Sequence, residues 1–146
     1  ANMMSLNKVG APLGDIEGVH AMTDVTGFGL AGHGLEMARA TGVELIVDGA
    51  ALPTLDLPAL EEYHATGCIP GGTRRNFASY GQDLTLDGVS DFVRDLVCDP
   101  QTSGGLMLSV APDSAAEVEK VLEAEGLPSS PIGEVVAGEP GKLRIR

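Results

Sequence analysis

The chain has 146 residues, of which 43% are hydrophobic, so it can bury the core of one domain without disulfides or a structural metal. Nine Lys and Arg against 21 Asp and Glu give a formal net charge of -12, which repels nucleic acid phosphates and anionic lipids. We therefore expect neither nucleic acid nor a membrane as a partner. An anionic substrate would need a metal cation, or a local basic cluster such as Arg74-Arg75, to overcome this repulsion.

The two cysteines, Cys68 and Cys98, lie in no pattern suited to zinc and are expected to be free, buried thiols. Free thiols are typical of the reducing cytoplasm. No run reaches the roughly 20 apolar residues of a membrane span. The first residues also lack the layout of a signal peptide. These features predict a soluble cytoplasmic protein.

Residues 1–18 are predicted to be a lead-in, with a short helix over residues 1–12 followed by a loop. The helical pattern starts without a capping residue, which fits either a chain cut from a longer protein or an ordinary frayed terminus. Residues 19–146 are predicted to form one layered α/β domain, because strands and helices alternate there without a repeat or a change in composition. The order of the strands stays open.

Residues 23–30 are the most informative stretch of the chain. Thr23, Asp24 and Thr26 place one carboxylate and two hydroxyls before a glycine-rich helix, and Asp24 or Thr26 would cap that helix through a side-chain oxygen. Each glycine inside a helix costs about 1 kcal/mol relative to alanine, so a run of them indicates a close approach of backbone or ligand. The glycines are Gly27, Gly29, Gly32 and Gly34.

Hydrophobic periodicity and turn residues predict the remaining elements. The predicted strands cover residues 19–22, 43–47, 106–110, 132–137 and 143–145, and the predicted helices cover 27–40, 57–66, 73–80, 89–97 and 112–125. Thr73 is the predicted cap of the helix over residues 73–80. Glycines are predicted to end three helices, at Gly42, Gly67 and Gly126. The last two strands are predicted to form a hairpin with a basic outer face of Lys142, Arg144 and Arg146.

Two segments could bind a ligand. Asp24, flanked by Thr23 and Thr26, offers the hard oxygens that magnesium takes together with waters and substrate phosphates. From spacing alone, helix capping is the commoner role of such residues. Thr102-Ser103-Gly104-Gly105 offers hydroxyls and open amides that suit an anion, but the loop lacks the lysine of a P-loop, and a plain turn is commoner.

The basic and imidazole side chains give weaker signals. Arg74 and Arg75 could bind phosphate through their guanidinium groups, although a solvated helix face is the commoner role. The histidines show no spacing typical of a metal site or a catalytic triad, so we assign them no role. They are His20, His33 and His64.

Three segments, taken together and in order, resemble the motifs of one enzyme family. They are AMTDVTGFGLAGH over residues 21–33, PGGTRRN over 70–76 and CDPQTSGGL over 98–106. These segments resemble selenophosphate synthetase, also called selenide, water dikinase, and the resemblance runs from about Ser5 to Arg146. A bare DxTG would indicate only the wider superfamily of aminoimidazole ribonucleotide synthetase-like enzymes.

The resemblance implies that the chain is the carboxy-terminal one of two domains, with an α/β (α+β) fold in which helices cover a mixed sheet. This domain closes over ATP, which the amino-terminal domain mainly binds. The full enzyme, expected to be a homodimer, converts ATP, selenide and water to selenophosphate, AMP and phosphate with Mg2+. The reactive cysteine or selenocysteine lies in the amino-terminal domain. We therefore assign no catalytic residue here and expect the isolated chain to be inactive.

The resemblance also changes the preferred role of Asp24, which matches the family aspartate that completes the magnesium site over the phosphates. Thr102, Ser103, Gly104 and Gly105 are the candidate nucleotide-binding residues, and this loop and the Arg74-Arg75 segment are expected to face the interdomain cleft. Three alternatives stay open at this point. The chain could be a non-catalytic module that stabilises its partner domain, part of another ATP-using enzyme of the superfamily, or an independent anion-binding domain.

Overall fold

The computed structural model describes residues 4–146, which form two β-sheets with helices packed against them. The strands in this part of the chain are β1 (Val19–Asp24), β2 (Glu44–Val47), β3 (Leu84–Leu86), β4 (Leu106–Val110), β5 (Gly133–Val136) and β6 (Lys142–Ile145). The α-helices are α1 (Gly10–Gly14), α2 (Gly29–Thr41), α3 (Leu57–Ala65), α4 (Gly71–Tyr80), α5 (Asp91–Val97) and α6 (Ala115–Ala124). The predicted α/β class with a mixed sheet is confirmed.

The larger sheet contains four strands in the order β3-β6-β2-β5. β2 pairs antiparallel with β5 and parallel with β6, and β6 pairs parallel with β3. The predicted hairpin of the last two strands is therefore wrong, because β2 lies between them. Leu45 and Val47 of β2 are buried beside Leu143 and Ile145 of β6, whereas Val135 of β5 is exposed. β2 thus fills the centre of the sheet with apolar side chains that β5 does not supply.

The smaller sheet is an antiparallel ribbon of β1 and β4. One of its faces joins the main core through Met107, and the other packs with Leu13 of α1 and Val118 of α6. The predicted helix over residues 1–12 lies partly outside the described residues, since these begin at residue 4. Within them the α-helix begins only at Gly10, so the lead-in is helical later than predicted. The boundary between residues 18 and 19 stays a prediction.

Helix α2 packs against both sheets through small and fully buried residues. Ala31, Leu35 and Ala38 are buried in the main core. A Cβ atom placed on Gly34 would lie 3.3 Å from Leu143 Cδ2 and 3.5 Å from Met107 Cε, so the missing side chain lets both sheets approach the helix. Gly42 ends α2 with a left-handed φ of 69°, as predicted.

The other helices follow their predicted positions with slightly shifted ends, whereas β3 was not predicted. β3 has only three residues, too short a run to show strand alternation. Cys98 is buried as predicted, but Cys68 is exposed, which corrects the expectation for that thiol. Within residues 4–146, no helix is both long and apolar enough to span a membrane.

Candidate functional site

The end of the ribbon brings together the two segments that the sequence singled out. Asp24 is the last residue of β1 and lies opposite Leu106, the first residue of β4. Beyond this pair the backbones stay linked, since the Val25 amide donates to the Gly105 carbonyl at 3.0 Å and the Gly104 amide donates to the Val25 carbonyl at 3.2 Å. Asp24 and the 102–105 loop therefore form one site, although they lie far apart in the sequence.

A cavity of about 380 Å³ opens at this end of the ribbon. Its wall includes the segment before α1, because the Ser103 hydroxyl donates to the Ser5 carbonyl at 2.8 Å and the Asn7 side-chain amide, through Nδ2, donates to the Gly105 carbonyl at 3.4 Å. Gly104 and Gly105 hold the loop through their backbones and do not line the cavity. The lining residues are Met4, Ser5, Leu6, Asn7, Asp24, Val25, Thr26, Thr102 and Ser103.

The Asp24 carboxylate has no partner within the described chain. Asp24 is exposed, and its side chain makes no hydrogen bond or ion pair with any of residues 4–146. Helix α2 begins at Gly29 with Phe28 as its N-cap and has no side-chain cap. The predicted capping by Asp24 or Thr26 is therefore wrong, because the turn after β1 places the helix start beyond the reach of either side chain. The carboxylate is left free for a ligand.

Thr26 instead takes part in a hydrogen-bond chain that the sequence analysis missed. Its Oγ1 atom lies 3.0 Å from His33 Nε2, and His33 Nδ1 lies 2.8 Å from Glu36 Oε2. His33 is 8% exposed and its ring lies 5.8 Å from the ring of Phe28. The spacing of His33 and Glu36 along the helix could have indicated their contact. The contact with Thr26 could not be read this way, because Thr26 lies outside the helix.

Helix α4 fixes the two loops behind the cavity through three residues on one face. The Asn76 side-chain amide donates to the carbonyls of Gly27 and Cys98, both at 2.9 Å. The Tyr80 hydroxyl donates to the Phe28 carbonyl at 2.6 Å, and burial together with the neighbouring Cys98 raises the pKa of Tyr80 well above its ordinary range. Tyr80 is therefore a permanent donor at neutral pH.

The third residue of that face corrects another prediction. Thr73 lies inside α4, whose N-cap is Pro70, and its hydroxyl donates to Asp99 Oδ1 at 2.8 Å. Thr73 is therefore not the cap of the helix. Its position in the PGGTRRN motif serves to link the helix to the loop before β4.

Gly27 and Gly29 differ in what surrounds them. Gly29 has a φ of 70°, and a Cβ atom there would lie 2.8 Å from the Val97 carbonyl oxygen and 2.8 Å from the Cys98 carbonyl carbon. A side chain is thus excluded by the chain's own backbone. A Cβ atom on Gly27 would meet nothing within 4 Å. The space at Gly27 is open among the described residues.

Arg74 and Arg75 do not reach the Asp24 cavity. Arg74 lines a separate hollow of about 410 Å³ with residues of α3, α4 and α5, including Phe77 and Arg94. Both Arg74 and Arg75 are exposed, and neither forms an ion pair with any of residues 4–146. The expectation that this segment faces an interdomain cleft stays a prediction.

The oxygens at the cavity fit a hard cation, but only part of its coordination. Asp24 supplies a carboxylate, and Thr26, Thr102 and Ser103 supply hydroxyls, which are the donor types of a magnesium site. In the part of the chain that the structure describes, no group of three His, Cys, Asp or Glu residues could hold a metal ion. A cation here would need further ligands from phosphates, waters or another domain.

Comparison with known proteins shows the family to which this chain belongs. The model of the AIR synthase related protein, C-terminal domain, matches residues 2–146. Selenide, water dikinase of Yersinia pseudotuberculosis serotype I (strain IP32953) is 51% identical over 143 residues, which cover 98% of this chain and 40% of that protein. The selenide, water dikinase of Escherichia coli (strain K12) is 48% identical over 143 residues, with the same shares covered.

A solved structure supports the fold. The crystal structure of tt0281 from Thermus thermophilus superposes with a TM-score of 0.51 at 23% identity, over 89% of this chain and 33% of that one. The chain spans about 40% of the length of the curated relatives it matches. The resemblance carried by the three sequence motifs is therefore confirmed, and the chain belongs to the family of AIR synthase related proteins, C-terminal domain.

Proposed function

We propose that this chain is the carboxy-terminal domain of an ATP-dependent selenophosphate synthetase, which converts ATP, selenide and water to selenophosphate, AMP and phosphate. Asp24 contributes one ligand to Mg2+ at the phosphates of ATP. The observation that carries this proposal is the free Asp24 carboxylate beside the Thr102 and Ser103 hydroxyls at an open cavity. The 51% identity over 143 residues to a relative named selenide, water dikinase supports the choice of reaction.

The charge of the chain supports a cation at this place. At a net charge of -12, the surface repels a nucleotide triphosphate unless positive charge is supplied locally. Mg2+ would supply that charge and neutralise the phosphates during transfer. Asp24 would orient the bound ion, while the Thr102 hydroxyl and the open space at Gly27 would accommodate the phosphates.

The remaining ligands are proposed to come from an amino-terminal domain. One carboxylate cannot hold an ion that dehydrates reluctantly, so the isolated chain would bind Mg-ATP weakly and would be inactive. Its partner would be the ATP-binding domain of the same enzyme, within a homodimer. The curated relatives, of which this chain covers 40%, have room for such a domain.

Complementation with the amino-terminal domain of a selenide, water dikinase tests the proposal. We expect the mixture to form selenophosphate and the Asp24→Asn variant to lower the rate at least about 100-fold, since a metal ligand is lost. Asp15→Asn, at another exposed carboxylate, is the matched control and should keep the parental rate. Thermal unfolding of each variant separates loss of the ligand from loss of the fold.

A non-catalytic stabilising module is the second candidate, because α4 and both loops form a rigid framework without any ligand. Under this alternative, the mixture would be active with Asp24→Asn as with the parental chain. Equal rates of formation of selenophosphate in the two mixtures would remove Asp24 from the mechanism.

A further inference from the structure

The chain of Thr26, His33 and Glu36 determines the direction of its own hydrogen bonds. The Glu36 side chain is 56% exposed, and an ionised carboxylate can only accept a hydrogen bond. The contact of 2.8 Å therefore places a proton on His33 Nδ1. A neutral imidazole carries one N–H, so Nε2 is left as an acceptor.

The direction of the hydrogen bond between Thr26 and His33 follows from that of the bond between His33 and Glu36. Because Nε2 of His33 accepts, the hydroxyl of Thr26 must donate across the 3.0 Å contact. A threonine hydroxyl has one proton and two lone pairs. Its proton is used on the buried histidine, so towards the cavity Thr26 offers only oxygen lone pairs.

The lone pairs of the Thr26 oxygen distinguish between the phosphate oxygens of a magnesium phosphate ligand and the waters bound to its cation. Phosphate oxygens are acceptors and would be repelled by a second acceptor, whereas waters bound to a cation are donors. Mg2+ keeps several waters when a protein binds it. A hydroxyl held as an acceptor beside Asp24 therefore fits a hydrated cation and does not fit a phosphate oxygen.

We propose that His33 and Glu36 position Thr26 as a hydrogen-bond acceptor for water bound to the cation that Asp24 ligates. His33 and Glu36 are positioning residues, since neither lines the cavity. The identity of the cation rests on the proposed function, but the direction of the hydrogen bonds does not. Thr23 provides the contrast, because its hydroxyl donates weakly to the Asp24 carbonyl at 3.4 Å and it does not line the cavity.

Nitrogen-15 NMR of the imidazole rings in this chain tests the direction without any ligand. We expect the His33 ring to carry a proton on Nδ1 and none on Nε2. In the Glu36→Gln variant, an amide can donate as well as accept, so the Nε2–H form should become populated. A parental ring that carries its proton on Nε2, or on both nitrogens, would overturn the proposal.

The dependence of activity on Mg2+ tests the consequence in the complemented enzyme. Thr26→Val should raise the Mg2+ concentration for half-maximal activity about 10-fold, the size expected when an outer-shell partner of a metal is lost. Thr23→Val, the matched control, should leave it unchanged. The double variant Thr26→Val, His33→Gln should be no worse than Thr26→Val, because the two residues act as one unit. Additive losses, or equal behaviour of the two threonine variants, would contradict the proposal.

Asp24→Asn in the same assay separates this inference from the proposed function. If Asp24→Asn keeps the parental activity, the proposed function fails. If it abolishes activity while Thr26→Val behaves like Thr23→Val, only the role of Thr26 fails. Thr26→Val leaves Nε2 of the buried His33 without a donor and should unfold at a somewhat lower temperature than Thr23→Val. The Mg2+ dependence is therefore compared at a temperature at which thermal unfolding shows both variants to be folded.

Discussion

The four-stranded sheet and the end of the ribbon both carry charged side chains, but among residues 4–146 only those of the sheet find partners. The basic residues of β6 and its end all form ion pairs with carboxylates of neighbouring segments. The pairs are Lys142 with Asp83 at 3.0 Å, Arg144 with Glu44 at 3.1 Å and with Asp87 at 2.8 Å, and Arg146 with Glu134 at 3.3 Å. Asp24 has no such partner within residues 4–146.

This difference separates charges that hold the fold from a charge that is available to a ligand. Sequence patterns suggested the reverse, a basic outer face on β6 and a structural cap at Asp24. Within the described residues, the basic side chains of β6 are paired with carboxylates, whereas the Asp24 carboxylate at the ribbon end has no partner. Substitutions in the sheet should therefore change stability, and substitutions at the cavity should change function.

The largest effect on stability is expected from the framework directly behind the cavity. Gly29→Ala would force a side chain into a left-handed conformation and against the Val97 and Cys98 backbone. Strain and overlap together should lower the free energy of unfolding by at least about 3 kcal/mol. Urea unfolding of the chain measures this loss.

Gly27→Ala is the matched control, because a Cβ atom there meets nothing within 4 Å. Its free energy of unfolding should change by less than about 1 kcal/mol. Its activity in the complemented enzyme should fall, since the methyl group occupies space that we assign to the phosphates. Equal stability of the Gly29 and Gly27 variants would break the distinction between framework and open site.

A somewhat smaller loss is expected at the helix that holds the two loops. Asn76→Leu removes both donors to the Gly27 and Cys98 carbonyls while nearly keeping the volume of a buried residue. The unsatisfied carbonyls should cost about 2 kcal/mol. Ser79→Ala, on the exposed side of α4, should be nearly neutral in the same unfolding measurement. If both variants unfold at the same urea concentration, the loops do not depend on Asn76.

One substitution in the four-stranded sheet and one at the end of the ribbon test the comparison between these two regions. Glu44 is 6% exposed, and its two carboxylate oxygens accept from the Glu139 amide at 2.9 Å and from Arg144 Nε at 3.1 Å. A glutamine has one acceptor oxygen for these two donors, so one donor loses its partner and Glu44→Gln should cost about 1 kcal/mol. The pair with Arg144 adds little to this figure, because that guanidinium side chain is 38% exposed. Asp24→Asn should change unfolding by less than about 0.5 kcal/mol. An Asp24 variant that is less stable than the Glu44 variant would reverse the assignment.

Local sequence signals predicted the helices whose positions depend on neighbouring residues in the sequence. The stripe of α5, the proline start before α6 and the glycine end of α2 all follow from periodicity and capping, and each element lies where it was predicted. The motifs predicted Asp24 and the 102–105 loop as candidate site residues, and their role as ligands stays a prediction. The two segments lie together because β1 pairs with β4.

The features that the sequence did not predict depend on contacts between segments that lie apart in the chain. β2 enters between β5 and β6 because its apolar side chains fill the sheet centre, and no pattern in either later strand shows this. Asn76 donates to backbone carbonyls, which every residue carries, so its partners leave no trace in sequence. The bond between Thr26 and His33 likewise depends on the turn before α2.

The smallest expected effect is the contribution of the sheet's ion pairs to acid stability. The hydrogen bond from Lys142, together with the charges of Lys142 and Arg39, lowers the pKa of Asp83 below its ordinary value. A lowered pKa in the folded state stabilises the fold above the pKa of the unfolded carboxyl, about 3.9, and this stabilisation is lost as the pH falls through the folded value. The difference in urea midpoint between the parental chain and Asp83→Asn should therefore shrink on acidification. Lys142→Met removes the main cause but leaves Arg39 beside Asp83, so its pH dependence should lie between those of the parental chain and Asp83→Asn. If the difference in urea midpoint between the parental chain and Asp83→Asn stays constant on acidification, the charge of Asp83 does not contribute to the stability of the sheet.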